Sequence, residues 1–446
     1  MNIFHSVPCL SEYSVGLEAK DIFRKWFKGA DKRIFGQHIQ KFININRDNF
    51  EFLGIEPIIN GIENNITLSF RTSSYIGAIP LRSPINGKSM GDFIVTPRYA
   101  NKNYIELLDY LGHSIVPEFQ NKLPLVSDNN YKPPLYLEAL NFIRLLERLS
   151  KKHWKKFSNF ETTSTKIRGN VNWHKYASSS ISPEKINQYP TRINNLNEFH
   201  LEYSNIKYVY YICKKIINSS TTPTKIKLPI KNSLNYLDKK LYFHQSKETS
   251  IFKINSNDNS LIRELKTIGN LILQNNFKEY TGWRIDFSEV FERYIQKLVS
   301  ELSREIGFSF IANPRMPSSG MYSSPWSLKY LEPDMAIHNG ESTFFVDAKY
   351  KSHLLNRNSN SSYLKEEFRK DLHQILAYSS FSTDASRKSI LCYPSDEFSI
   401  QKNIFKNPLN SSENQVQLWG IPLEISKLQT TKETIIKNSY LQSILT

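Results

Sequence analysis

The sequence predicts a multi-domain α/β chain, α+β in overall layout, with a β-rich front over 1–110, a mainly helical middle over 111–284 and an α/β tail with a mixed sheet over 285–446. Three observations carry this expectation. Short alternating apolar runs punctuated by Gly, Pro and Asn fill the front. The apolar period then lengthens towards 3.6. After residue 285 the order becomes helix, hairpin, helix, strand, strand, the pattern of a sheet with helices packed against it. A chain of 446 residues has the length of about three ordinary domains, each able to bury its own core.

Apolar residues make up 39% of the chain and aromatics 13%, a globular composition, and no uninterrupted apolar run is long enough to cross a bilayer. The opening MNIFHSVPCLSEY lacks the basic-then-apolar pattern of a secretory signal, so a cytoplasmic protein without membrane association is expected. Cys9, Cys213 and Cys392 stand too far apart for a disulfide framework or zinc spacing. The net charge of +16, from 58 Lys and Arg against 42 Asp and Glu, favours a polyanionic partner, nucleic acid before membrane.

In the front, Ile66–Phe70 and Tyr75–Leu81 alternate, and Asn86-Gly87 turns into Gly91–Thr96. Pro80 and Pro97 belong at sheet edges or strand ends. Asn86-Gly-Lys-Ser89 looks like the end of a phosphate loop, but the first glycine of that motif falls on Arg82, so a nucleotide site is excluded there. In the middle, Pro134 opens a helix whose stripe is Leu135, Ala139, Phe142, Leu145, Leu146 and Leu149. Lys151, Lys152, Lys155 and Lys156 follow, interleaved with His153 and Trp154. This cluster either grips phosphate and stacks a base or is a solvated helix end around one core tryptophan. Residues 166–173 read as a short strand entering a loop, and helical patterns resume at 201–217, 233–242 and 261–274.

The tail opens on an amphipathic helix built on Phe287, Val290, Phe291, Tyr294, Ile295, Leu298, Val299 and Leu302. Glu292 borders its apolar stripe while Glu289 points away, so Glu292 is the acid able to reach an adjacent sheet. The stretch 328–351, LKYLEPDMAIHNGESTFFVDAKYK, predicts a hairpin turning at Asn339-Gly340. A turn centred there sets Asp334 opposite Phe345 and Asp347 one diagonal away. Alternation gathers Phe345, Asp347 and Lys349 on one face. Two carboxylates and an ammonium on an apolar ribbon need compensation, for which a divalent metal is the candidate; the alternative is a surface hairpin with a solvated Asp/Lys pair. A polar segment, 356–362, separates this hairpin from a helix over Leu364–Phe381, where Asp371, Gln374 and Tyr378 share a face at i, i+3, i+7. Ile390–Tyr393 and Val416–Trp419 supply two further strands.

Taken together, Pro333-Asp334, Asp347-Ala348-Lys349, Glu292 on the preceding helix and Gln374-x₃-Tyr378 on the following one resemble the PD-(D/E)xK nuclease core, the last pair in its RecB-like form. The wording of Phe287–Ile295, Glu332–Met335, Val346–Lys351 and Asp371–Tyr378 is similar to the McrC group, nuclease subunits of McrBC-type restriction systems. Tyr75–Leu81 and Phe93–Arg98 resemble that group's front domain more weakly. The resemblance implies a Mg²⁺-dependent (or Mn²⁺-dependent) DNA endonuclease of restriction or phage defence, working with a separate McrB-like AAA+ GTPase. Under it, Asp334 and Asp347 ligate the metal with the Ala348 carbonyl, Lys349 positions or activates water, and Glu292 completes the acidic shell. Gln374 and Tyr378 hold substrate or buttress the site. Arg82, Lys88 and Arg98 are the front-domain residues for contact with the motor. Two alternatives stand beside this reading: a basic, non-catalytic adaptor that activates a partner NTPase, and a nuclease of DNA repair or recombination.

Overall fold

The computed structural model describes residues 6–11, 17–18, 35–61, 66–99, 104–112, 115, 117–124, 133–152, 154–167, 169–219, 222–275, 281–318, 329–356, 360–382, 386–406, 408–409 and 412–437. His153 and residues 357–359 of the polar segment lie outside them. The chain forms two compact units, residues 1–133 with 280–446, and residues 134–279. No helix among the described residues is long and apolar enough to cross a membrane.

The first unit holds a front sheet in the order Ser6–Pro8, Ser89–Thr96, Tyr75–Arg82, Thr281–Asp286, Glu118–Pro124. Its centre is Tyr75–Arg82, paired on both edges, and its interior positions are buried throughout, as in a strand covered on both faces. Gly77 has φ +153°, and a Cβ there would run into the Trp283 carbonyl of the neighbouring strand, so only glycine lets the two backbones approach. Pro80 departs from expectation, lying in this central strand rather than at an edge. Register explains the tolerance: the pairing with Thr281–Asp286 runs only from Tyr75 to Ala78, so no ladder bond to that neighbour is lost at Pro80. A short three-stranded sheet, Leu17–Glu18, Thr67–Thr72 and Ile55–Asn60, lies beside it. The rings of Phe42, Phe50, Phe70 and Phe93 interlock beneath both.

The same unit contains the tail. Helix α1, Phe287–Glu305, starts where the Asp286 carboxylate accepts bonds from the Ser288 backbone N–H (2.9 Å) and hydroxyl (2.6 Å). A six-stranded mixed sheet follows, with strands β1 (Ser309–Ala312), β2 (Met335–His338), β3 (Thr343–Ala348), β4 (Ser386–Ser395), β5 (Ser399–Lys406) and β6 (Glu413–Pro422), ordered β1-β2-β3-β4-β6-β5. Strands β3, β4 and β6 are parallel neighbours, and the other pairings are antiparallel. Helix α2, Ser362–Ser379, crosses over from β3 to β4.

The second unit packs four long helices, Tyr136–Ser150, Leu201–Asn218, Thr224–Lys240 and Ser260–Asn275, beside a three-stranded antiparallel sheet, with the short helix Trp173–Ser179 between two of its strands in sequence. The third helix begins nine residues before its expected start, carrying Pro229 within its length. The long pair Lys156–Ser164 and Tyr189–Asn197 is also unforeseen in a segment read as helical. Of the basic cluster, Lys151 pairs with Glu147 and Lys156 with Glu202, while Trp154 packs on His200 and Tyr203. Trp154 is thus half-buried against its own unit, while Lys152 and Lys155 remain exposed.

Candidate active site

The hairpin β2–β3 turns more widely than the sequence suggests. Asn339–Ser342 form the loop, because Asn339 Oδ1 accepts bonds from the backbone N–H of both Glu341 (2.9 Å) and Ser342 (2.7 Å). Gly340 takes φ +103° within it. This loop shifts the register by two residues: Ala336, not Asp334, faces Phe345. Continuing the same register sets Asp334 directly against Asp347, a closer pairing than the expected diagonal. The facing of the strand follows the alternation. Phe345 packs with Ile375 and Tyr378 of α2, whereas the Tyr350 ring meets Phe287 and Phe291 of α1.

At the open end of the hairpin the expected charges converge. Asp347 is wholly buried, and Lys349 Nζ lies 2.7 Å from its Oδ2. That contact is charge-assisted, and among the described residues no backbone N–H or neutral amide donates to either oxygen of Asp347. Asp334 Oδ2 accepts the Ala348 backbone N–H at 2.7 Å. Burial, then the charge of Asp347, pushes the Asp334 carboxyl up to about 8. Burial also raises Asp347, against the opposing pull of Lys349. Burial lowers Lys349, but the Asp347 carboxylate outweighs it and the ammonium is held in its charged form.

A wholly buried carboxylate compensated by one ammonium and set against a second carboxyl fits a hard divalent cation. Asp334 and Asp347 supply the carboxylate oxygens at this spot. Among the described residues, no three Asp, Glu, His or Cys side chains form a ready-made metal cluster. Glu292 therefore flanks the pair rather than joining it, although its charge adds to the rise of Asp334.

Glu292 is held by two residues that sequence reasoning missed. Gln296 Nε2 contacts Glu292 Oε1 (3.0 Å), Asn313 Oδ1 (2.6 Å) and the Asp334 carbonyl (3.2 Å). Asn313 Nδ2 donates to the same Glu292 oxygen at 3.2 Å, and its backbone N–H donates to the Asp334 carbonyl at 2.9 Å. Gln296 is one helical turn from Glu292 and so had a legible signal. Asn313 had none, since only the fold brings the end of β1 to α1.

On α2, Gln374 Nε2 donates to the Tyr378 hydroxyl (2.9 Å), which donates to the Glu332 carbonyl (3.3 Å) two residues before Asp334. Asp371 turns inward instead, accepting from Lys351 Nζ (2.7 Å) and the Tyr393 hydroxyl (2.9 Å). In the front domain Lys88 is exposed on a turn and Arg82 is half-buried. Arg98 donates to the Cys9 carbonyl (2.8 Å) and the Ser11 hydroxyl (2.6 Å), so its guanidinium is engaged within the fold.

Residues 70–394 match the family model described as McrBC 5-methylcytosine restriction system component. No curated protein matches the chain. Among solved structures, one similar chain comes from a half-complex of the tetradecameric assembly of Thermococcus gammatolerans McrB AAA+ hexamers with bound McrC. It is 14% identical with a TM-score of 0.47, covering 98% of this chain and 99% of that one. Another comes from the cryo-EM structure of the Thermococcus gammatolerans McrBC complex, 11% identical with a TM-score of 0.32, covering 67% and 88%. Likenesses this loose add no weight to the family match.

Proposed function

This chain belongs to the McrBC 5-methylcytosine restriction system component family, and from that premise we propose that it is the McrC-like nuclease subunit, a PD-(D/E)xK endodeoxyribonuclease. The single observation that carries the reading is the wholly buried Asp347, set between Asp334 and Lys349 at the end of one hairpin. Burying two carboxylates against each other is unfavourable in a protein without a use for them, and perturbed acids of this kind gather at functional sites.

In this reading Asp334, Asp347 and the Ala348 carbonyl hold Mg²⁺ or Mn²⁺, which when bound polarises a phosphoryl oxygen of the scissile diester. Lys349 orients the attacking water and offsets charge developing on the phosphate. Glu292 adds negative charge at the flank. Gln374 and Tyr378 brace the backbone leading into Asp334. The excess of positive charge draws the DNA polyanion to the protein. Translocation and hydrolysis of nucleotide fall to a separate McrB-like AAA+ GTPase, because the front turn of this chain lacks the first glycine of a phosphate loop. Lys88 and Arg82 are the front residues best presented to that partner.

The test is cleavage of methylated and unmethylated plasmid by the purified chain with its partner NTPase, with and without Mg²⁺. Asp347→Ala is expected to bring cutting to background, and Lys349→Ala to slow it by roughly 10²–10⁴-fold, with partner binding intact. Undiminished cutting by Asp347→Ala would remove this active site, whereas a wild-type complex that stimulates its NTPase but makes no Mg²⁺-dependent cut would leave the adaptor alternative.

A further inference from the structure

Glu292 is the one acid near the site held by side-chain amides alone. Two amides, Gln296 Nε2 at 3.0 Å and Asn313 Nδ2 at 3.2 Å, converge on its Oε1. No hydrogen bond to Oε2 forms among the described residues, which leaves that oxygen to accept from something else. Both amide residues also grip the backbone of the candidate site, since Gln296 Nε2 and the Asn313 N–H reach the Asp334 carbonyl at 3.2 Å and 2.9 Å. Asn313 adopts φ +47°, the left-handed conformation that few residues other than glycine and asparagine take readily. Its backbone is thus turned so that the N–H and the amide serve the same cluster. A helix residue, a strand-end residue and the approach to β2 are tied into one clamp, and Glu292 is its only carboxylate.

We propose that Gln296 and Asn313 are positioning residues, holding Glu292 as the outer acidic flank that accepts hydrogen bonds from the waters a divalent cation keeps at the Asp334 and Asp347 pair. The inference rests on the nuclease reading above. Mg²⁺ retains several waters when bound by few carboxylates, so a fixed acceptor just outside its ligands strengthens binding without touching the ion. Groups in this outer position change metal affinity by about 10–100-fold when removed.

The experiment is Mn²⁺ titration of the full chain by calorimetry, without DNA, so that the readout is affinity rather than turnover. Variants are Glu292→Gln, Gln296→Leu, Asn313→Gly and Asp347→Asn. Asn313→Gly keeps the left-handed backbone while removing the amide, which guards against misfolding as an explanation. Wild type is expected to bind, Asp347→Asn to lose binding, and each clamp variant to weaken affinity about tenfold. In the Glu292→Gln background, Gln296→Leu is expected to weaken binding little further, because both act through one carboxylate. Clamp variants that bind Mn²⁺ as wild type does, while Asp347→Asn does not, would overturn the clamp and leave the nuclease reading standing. Full additivity with Glu292→Gln would also overturn it. A wild type that binds no Mn²⁺ would overturn both.

Discussion

Asp334 ordinarily titrates near 3.8 and is pushed up to about 8 in the folded site, first by burial and then by Asp347. Between those values the folded protein keeps a proton that the unfolded chain has released. Stability therefore falls as pH rises through that window and is greatest below it. Asn at position 334 removes the titration while retaining a side-chain oxygen for the Ala348 N–H. In EDTA at pH 8, Asp334→Asn is expected to be more stable than wild type by on the order of 2 kcal/mol, the advantage disappearing near pH 4. Thermal unfolding at several pH values reads this out. Mg²⁺ should restore wild type at pH 8 and leave the variant unmoved. An advantage that grows as pH falls would contradict the assignment. The residues behind this behaviour were legible because the D-x-K strand, common by itself, stood in order with an acid on the helix before it and Gln-x₃-Tyr on the helix after it. Their direct opposition was not, because the loop length depends on how the Asn339 side chain binds backbone amides.

Helices α1 and α2 clasp the hairpin, each through a different chemistry. α1 offers rings, Phe287 and Phe291 on Tyr350, while α2 adds a buried charge, Asp371, bound to Lys351 and Tyr393. Removing the Tyr393 hydroxyl in Tyr393→Phe deletes one charge-assisted bond and should cost about 2 kcal/mol. Asp371→Ala removes the partner of a half-buried lysine and should cost roughly 3 kcal/mol or more, tempered by the remaining Lys351–Glu367 pair at 3.0 Å. Denaturant unfolding of both variants checks the order. Equal stability of Asp371→Ala and wild type would show that the network does not anchor α2. Both helices were visible from their 3.6-residue stripes. The strands β1 and β5 were not, because they sit at the two edges of the sheet, with most of their residues exposed. An edge strand with both faces wet carries no period-2 apolar signal. Thr281–Asp286 was hidden differently: only six residues long, it runs straight into α1, whose longer pattern masks it.

At the scale of the whole molecule, periodicity along the chain marked changes near residues 110 and 284, whereas compactness groups both ends of the chain into one unit. The difference lies in long-range pairing. Thr281–Asp286 inserts between Tyr75–Arg82 and Glu118–Pro124, and no local pattern announces a partner two hundred residues away. The strand that leaves the first unit and the one that returns to it are direct neighbours, with Thr281 opposite Pro124. Replacing residues 134–279 with a short Gly/Ser linker is therefore expected to leave the first unit folded, because its sheets are complete without them. Circular dichroism should retain a single cooperative transition. Loss of that transition would mean that the first unit depends on the excised residues.

That interleaving has a consequence during synthesis. Residue 281 emerges about 200 residues after residue 82, an interval of roughly 10–40 s at ordinary translation rates. Throughout it, the nascent Tyr75–Arg82 strand presents an unpaired hydrogen-bonding edge whose intended neighbour has not yet been made. Early folding of the intervening residues would shorten the span this orphaned edge must search and lower the chance of capture by another chain.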